Sequence, residues 1–147
     1  MENQKPLMSP FEPFLAKAAV EWVEKNNGQP HLVVHAAGVG ERALIDTANE
    51  TGSAFLNIAP NAIGGIEYGD EYITLQCAFR GRRTTLFIYY AYLLGVLDKS
   101  NGAFVAITDM AIAQAVYETG GPENITHMEV VPNEPVKASR PKLTIVK

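Results

Sequence analysis

Tyr72-Ile73-Thr74-Leu75-Gln76-Cys77-Ala78-Phe79 is the stretch that decides the fold. In an extended chain Ile73, Leu75, Cys77 and Phe79 share one side, and Tyr72, Thr74, Gln76 and Ala78 share the other. That is the period-two pattern of a strand with one buried face. Gly69-Asp70 precedes it and the basic turn Arg80-Gly81-Arg82-Arg83 comes after it, so turn chemistry bounds both ends. Upstream, Ala54–Ala59 is another β-rich run, closed by Pro60-Asn61, and Gly64-Gly65 reads as a turn between the two runs. The outward side of 72–79 offers an amide, a hydroxyl and a methyl rather than charge. An extended peptide can pair on or beside such a surface; ordinary sheet surface is the plainer reading.

Composition bounds what such a sheet can belong to. At 147 residues the chain suits one domain with a core of its own, 47% hydrophobic and 19% charged. A net charge of −4 leaves no basic field to hold phosphates, which argues against a nucleic-acid partner. Cys77 is the single cysteine, so neither an intrachain disulfide nor a zinc cluster is available, and a thiol on a strand's apolar face is a small core residue. The polar, proline-containing start lacks a signal-peptide apolar region, and no apolar run has a membrane-span length. The expectation is a cytoplasmic protein with no membrane association.

Taken in order, the chain opens with Ser9-Pro10-Phe11-Glu12, which has the form of a capping box with proline at the first helical position. The helix is expected to run to Asn27, with Gly28 as a left-handed cap and Pro30 barring continuation. Leu15, Ala18, Ala19, Trp22 and Val23 form its apolar stripe, and Phe11 and Phe14 add aromatic surface. A strand comes next at His31–Ala36; His31 and His35 share a face, but two histidines without a third ligand make no metal site. Gly38-Val39-Gly40-Glu41-Arg42-Ala43 has the G-x-G-x-x-A spacing of a dinucleotide-binding turn, the basis of an alternative reading as a cofactor-dependent enzyme. That reading needs an acidic residue closing the next strand, whereas Ala54–Ala59 closes on Pro60. Thr84–Tyr89 is a further β-rich run, and Ala91–Lys99 has helical spacing at Tyr92, Leu93, Val96 and Leu97. Phe104–Ile107 reads as a short strand, and Asp109 caps a helix through Glu118.

From Gly120 the composition shifts to proline, glycine and polar residues, giving a linker over 120–139 that would span roughly 25 Å as a coil. The chain then reaches the alternating apolar octapeptide Arg140-Pro141-Lys142-Leu143-Thr144-Ile145-Val146-Lys147. No nucleophile, base and acid stand at a spacing that specifies catalysis, so no catalytic residue is assigned.

Three blocks together resemble the stringent starvation protein B family, adaptors of the ClpXP protease. They are Glu21-Trp22 with Pro30-His31-Leu32-Val33-Val34, Leu56-Asn57-Ile58-Ala59-Pro60-Asn61-Ala62-Ile63-Gly64, and the terminal 140–147 octapeptide. The resemblance runs in order along most of the chain. It implies a mainly β fold, a small open barrel of packed antiparallel sheets with an N-terminal helix and a flexible C-terminal tail. It implies a tag-binding and dimerisation domain at 1–119, a linker at 120–139 and a ClpX-binding peptide at 140–147. The ssrA tag would be bound by Asn57, Ile58, Gln76, Ala78, Phe79 and Arg80, and ClpX by Arg140, Pro141, Leu143, Ile145, Val146 and Lys147. Phe11, Phe14, Leu15, Ala18 and Trp22 would form a homodimer interface. No cofactor and no catalysis are implied.

Overall fold

Seven strands make two antiparallel sheets in the computed structural model of the protein, which describes residues 8–122. In chain order the elements are α1 (Glu12–Lys25), β1 (Pro30–His35), α2 (Ala36–Val39), α3 (Arg42–Thr47), β2 (Ser53–Asn57) and β3 (Gly65–Tyr68). Then come β4 (Tyr72–Phe79), β5 (Arg82–Tyr89), a 3-10 turn (Tyr90–Tyr92), β6 (Leu93–Asp98), β7 (Phe104–Ala106) and α4 (Met110–Glu118). One sheet runs β2-β1-β6-β7 and the other β3-β4-β5. The sheets are open and do not close into a barrel, so the fold is mainly β with an N-terminal helix.

β4 is the strand its alternation predicts. Ile73 and Leu75 are fully buried and meet Ile88 and Leu86 of β5, while Gln76 and Ala78 face outward. Each large aliphatic side chain buried this way contributes about 1.5–3 kcal/mol. The main core joins both sheets: Ile73, Leu75 and Ile88 from one, Leu32, Val34, Leu56 and Val96 from the other, closed by Ala16, Val20 and Val23 of α1. Residues 80 and 81 both take positive φ, 54° and 81°, making the tight turn whose twist suits the β4–β5 hairpin.

α1 departs from the expected reading at three points. The helix begins after Phe11, which offers no side-chain cap, so Ser9 and Glu12 form no capping box. The left-handed residue at its end is Asn27, φ 59°, and not Gly28. Gly28 instead lets the chain pass Asp98, into whose carboxylate a Cβ would run. The buried stripe is Pro13, Ala16, Ala19, Val20 and Val23, rotated from the expected one. Small residues face the sheets because they let the helix backbone approach closely.

Leu93–Asp98 is a strand and not the predicted helix. The register against β1 shifts between Val33, which faces Gly95, and Val34, which faces Leu93. Leu94 is therefore an extra, bulged residue. The bulge places Leu93 and Val96 on the main core and Leu94 and Leu97 on the other side, an i, i+3 spacing that imitates a helix. α4 covers that other side, where Ala113 and Val116 pack with Val33, Tyr92 and Leu94. Its cap is the predicted one, with Asp109 Oδ1 accepting from the Ala111 N–H.

The dinucleotide alternative fails on topology. β1 and β2, which flank the Gly38-Val39-Gly40 loop, are antiparallel neighbours, whereas the dinucleotide site needs a parallel crossover. The two glycines have local reasons instead. A side chain on Gly38 would collide with the Tyr92 ring, and Gly40, φ 86°, closes α2 in the left-handed conformation.

Candidate peptide-binding site

The six residues expected to meet a peptide sit in three settings around the end of β4. Asn57 is exposed where β2 stops, and its side-chain oxygen accepts from the Ala59 N–H at 3.0 Å, starting the turn toward Pro60. Ile58 is 3% exposed and belongs to the core, its N–H bonded to the Pro30 carbonyl at 3.1 Å. Its role is to hold that turn down.

Gln76 and Ala78 lie on the outward side of β4. There Gln76 is flanked by Gly65 of β3 and Thr85 of β5, and Ala78 by Arg83. Tyr72 continues the same side, with edge-to-face contacts to Phe87 and Tyr89 at 5.5 and 5.1 Å between ring centroids. The result is a low floor of Gly65, Gln76, Ala78 and Thr85 between a cation and an aromatic cluster. Phe79 points the opposite way and is half-buried against the core. Arg80 is exposed in the hairpin turn.

Two residues that sequence reasoning does not name, Ile63 and Cys77, lie beside these six. Both are half-buried and pack with Phe79 against the edge of the core. Gly64, next to Ile63, donates its N–H to the Gln76 carbonyl at 2.7 Å, so the 57–64 loop is pinned to β4. Burial, and then the negative charge of Glu41, raise the Cys77 thiol above its ordinary range, which keeps it protonated and apolar. The sequence signal for Cys77 is alternation itself, which puts it on one side with Phe79, two residues away.

Of the basic turn, Arg82 is committed elsewhere. Its guanidinium meets Glu41 at 3.1 Å and also donates to Thr84. The same Glu41 carboxylate caps α3 at the Ala43 N–H. Arg80 and Arg83 form no ion pair among the described residues and are exposed.

The five helix residues expected at a dimer interface point away from the core. Phe11, Phe14 and Trp22 are 68%, 63% and 52% exposed, Ala18 is exposed and Leu15 is half-buried. Their spacing puts all five on one helical face. The octapeptide at 140–147 and the 120–139 linker beyond Pro122 lie outside the described residues.

His35 forms no metal site with His31. Its Nδ1 accepts from the Gly38 N–H at 2.9 Å and its Nε2 lies 2.7 Å from Gln114 Oε1, so both ring nitrogens are engaged. Among the described residues no cluster of three or more His, Cys, Asp or Glu side chains is arranged to hold a metal ion, and no helix is long and apolar enough to cross a membrane.

No protein-family model matches the chain. It is similar to a stringent starvation protein B homolog from Haemophilus influenzae, 28% identical over 94 residues. The match covers 64% of this chain and 62% of that protein, so the chain spans less than two thirds of the length of this curated relative. The sequence blocks that run through β1, β2 and the 57–64 loop point to the same resemblance, to the stringent starvation protein B family.

Proposed function

We propose that this protein is a cytoplasmic proteolysis adaptor that binds ssrA-tagged polypeptides and delivers them to ClpXP by tethering to ClpX. The observation that carries the reading is the Leu56–Gly64 block, pinned to β4, in a chain that also holds the 140–147 octapeptide. The tag lies extended along the end of β4. Cys77, Phe79 and Ile63 supply shallow apolar contact, and Asn57, Gln76, Ala78 and Arg80 form the rim. Backbone pairing gives affinity and alternate side chains give selectivity.

Residues 1–119 form the tag-binding and dimerisation domain, 120–139 the linker and 140–147 the ClpX-binding peptide. Two copies pair through Phe11, Phe14, Leu15, Ala18 and Trp22, because an aromatic face of this kind on a small domain marks an interface. Ordering an eight-residue peptide costs about 1–2 kcal/mol per residue, so each tail contact alone is weak. Linking it to tag binding raises the effective concentration of substrate at the unfoldase, and delivery comes from the link rather than from either contact.

Deleting Leu143–Lys147 tests this directly. The truncated protein is expected to bind a fluorescent tag peptide with unchanged affinity and to lose all acceleration of ClpXP degradation of a tagged reporter. Continued acceleration, or loss of tag binding, overturns the reading.

A further inference from the structure

A second recess lies away from the end of β4. A cleft of about 900 Å3 opens between the first turns of α1 and the β3–β4 hairpin. Its walls include Tyr68 and Tyr72, and its rim carries Glu67, Asp70 and Glu71 against Lys17. None of these four charged groups forms an ion pair among the described residues. The negative field is felt nearby: burial, and then Asp70 and Glu12, push the Tyr90 hydroxyl up to about 12.

The described chain ends at Pro122, on the α4 side of the β2-β1-β6-β7 sheet. Gly121 is buried close to the Tyr92 hydroxyl. Tyr92 packs with α4, whereas Tyr90, two residues earlier, belongs to the main core and donates its hydroxyl to the Gly69 carbonyl of the β3–β4 hairpin at 2.8 Å. Residues 123–139 separate Pro122 from Arg140, and a relaxed chain of that length covers about 23 Å. The 140–147 octapeptide is complementary to the cleft in charge and in polarity: Arg140, Lys142 and Lys147 for the acidic rim, Leu143 and Ile145 for the aromatic walls.

We propose that this cleft is the resting site of the chain's own residues 140–147, held by the unpaired acids of the β3–β4 hairpin. The proposal stands apart from the adaptor reading, since a docked tail is observable with no protease or tagged substrate present. If both hold, the tail leaves the cleft before it meets ClpX, and weakening the cleft speeds delivery.

The test uses the full chain carrying Ser139→Cys in a Cys77→Ser background, with a nitroxide attached at 139 and amide signals read by NMR. Selective broadening of the amides of 66–74 is expected at low salt. It should be abolished by Asp70→Lys with Glu71→Lys, and by raising the ionic strength to about 0.5 M, where charge pairs are screened beyond about 4 Å. Both lysine positions are exposed, and the salt arm serves if that variant does not fold. Mixing isotope-labelled copies without nitroxide and unlabelled copies with it should leave these amides sharp. Absence of broadening, broadening indifferent to both charge and salt, or broadening seen only in the mixed sample overturns the proposal, the last by making a second copy the occupant.

Discussion

His35 and Gln114, 79 residues apart, meet at 2.7 Å, and this pair fixes where the last described helix sits. Because Nδ1 accepts from the Gly38 N–H, the ring proton is on Nε2, which donates to Gln114 Oε1. Tyr92 stacks on the ring at 5.5 Å between centroids and Tyr117 lies tilted beside it at 5.3 Å. One imidazole thus joins β1, α2, the 3-10 turn and α4.

Removing the amide should therefore loosen α4. Gln114→Ala leaves the buried Nε2–H without a partner, at a cost of about 1–3 kcal/mol. The urea midpoint should fall accordingly, while Ala111→Ser on the exposed side of the same helix stays within about 0.5 kcal/mol of the parent. Equal midpoints for Gln114→Ala and the parent would show the bond to be energetically idle.

If the proposed adaptor role holds, Cys77 should report on where a tag lies. Its raised thiol pKa means less thiolate at pH 8 than an ordinary cysteine has, so alkylation by iodoacetamide should be slower than that of a free thiol and should quicken toward pH 10. Glu41→Gln should speed it at fixed pH, since a negative neighbour is gone. Saturating tag peptide should slow it further. An unchanged rate with peptide bound moves the tag to the outward side of β4, where Ala78→Gln becomes the variant that blocks binding.

The aromatic face of α1 predicts assembly without predicting stability. Phe14→Glu and Trp22→Glu remove no core contact, so each protomer should stay folded. Sedimentation velocity at micromolar concentration should show the parent at twice 16.0 kDa and the double variant at 16.0 kDa. A parent that sediments as a monomer removes the dimer from the proposal.

Asp98 predicts a pH signature. Its Oδ1 accepts from the Ser100 hydroxyl at 2.6 Å and from the N–H groups of Gln29 and Ser100 at 3.0 Å each. These bonds, the Ser100 hydroxyl foremost, hold the carboxyl below its ordinary range. A pKa lower in the folded state than in the unfolded one stabilises the fold above the unfolded value, about 3.9, and that gain is lost as pH falls through the folded value. Asp98→Asn should then lower the melting temperature most near pH 7, with the gap closing toward pH 3. A gap that is constant with pH would assign the effect to geometry rather than charge.

Much of this architecture is legible in residues whose partners are local or whose one face is buried. β4 shows its alternation, and Asp109 shows its helix. β6 does not, because the bulge at Leu94 gives a strand the spacing of a helix. β3 is hidden because Gly64-Gly65 is turn chemistry by itself, and only pairing with Gln76 and Leu75 of β4 makes Gly65-Ile66 extended. α1 carries apolar residues on two faces, and sequence alone does not say which one meets the sheets. At the peptide site the residue types are readable but not their depth. Alternation sets the apolar Ile58 inward beside the outward Asn57 and puts Cys77 with Phe79, but it does not say that Cys77 and Phe79 stop at half-burial where Ile73 and Leu75 are fully buried.

Among the described residues, two open sheets leave four strands, β2, β3, β5 and β7, each with one side lacking a strand neighbour. Such borders template aggregation when copies are crowded, and the sequence blunts them unequally. β3 and β7 are four and three residues long, too short to seed a growing ladder. β5, at eight residues, is long enough, and it begins with Arg82 and Arg83, so copies meeting along it would bring like charges together. α2 also packs on it, and Glu41 ties the adjoining loop to Arg82. The Glu41–Arg82 pair is thereby a guard on solubility: cutting it should show first as clouding of concentrated stocks, before any change in the melting curve.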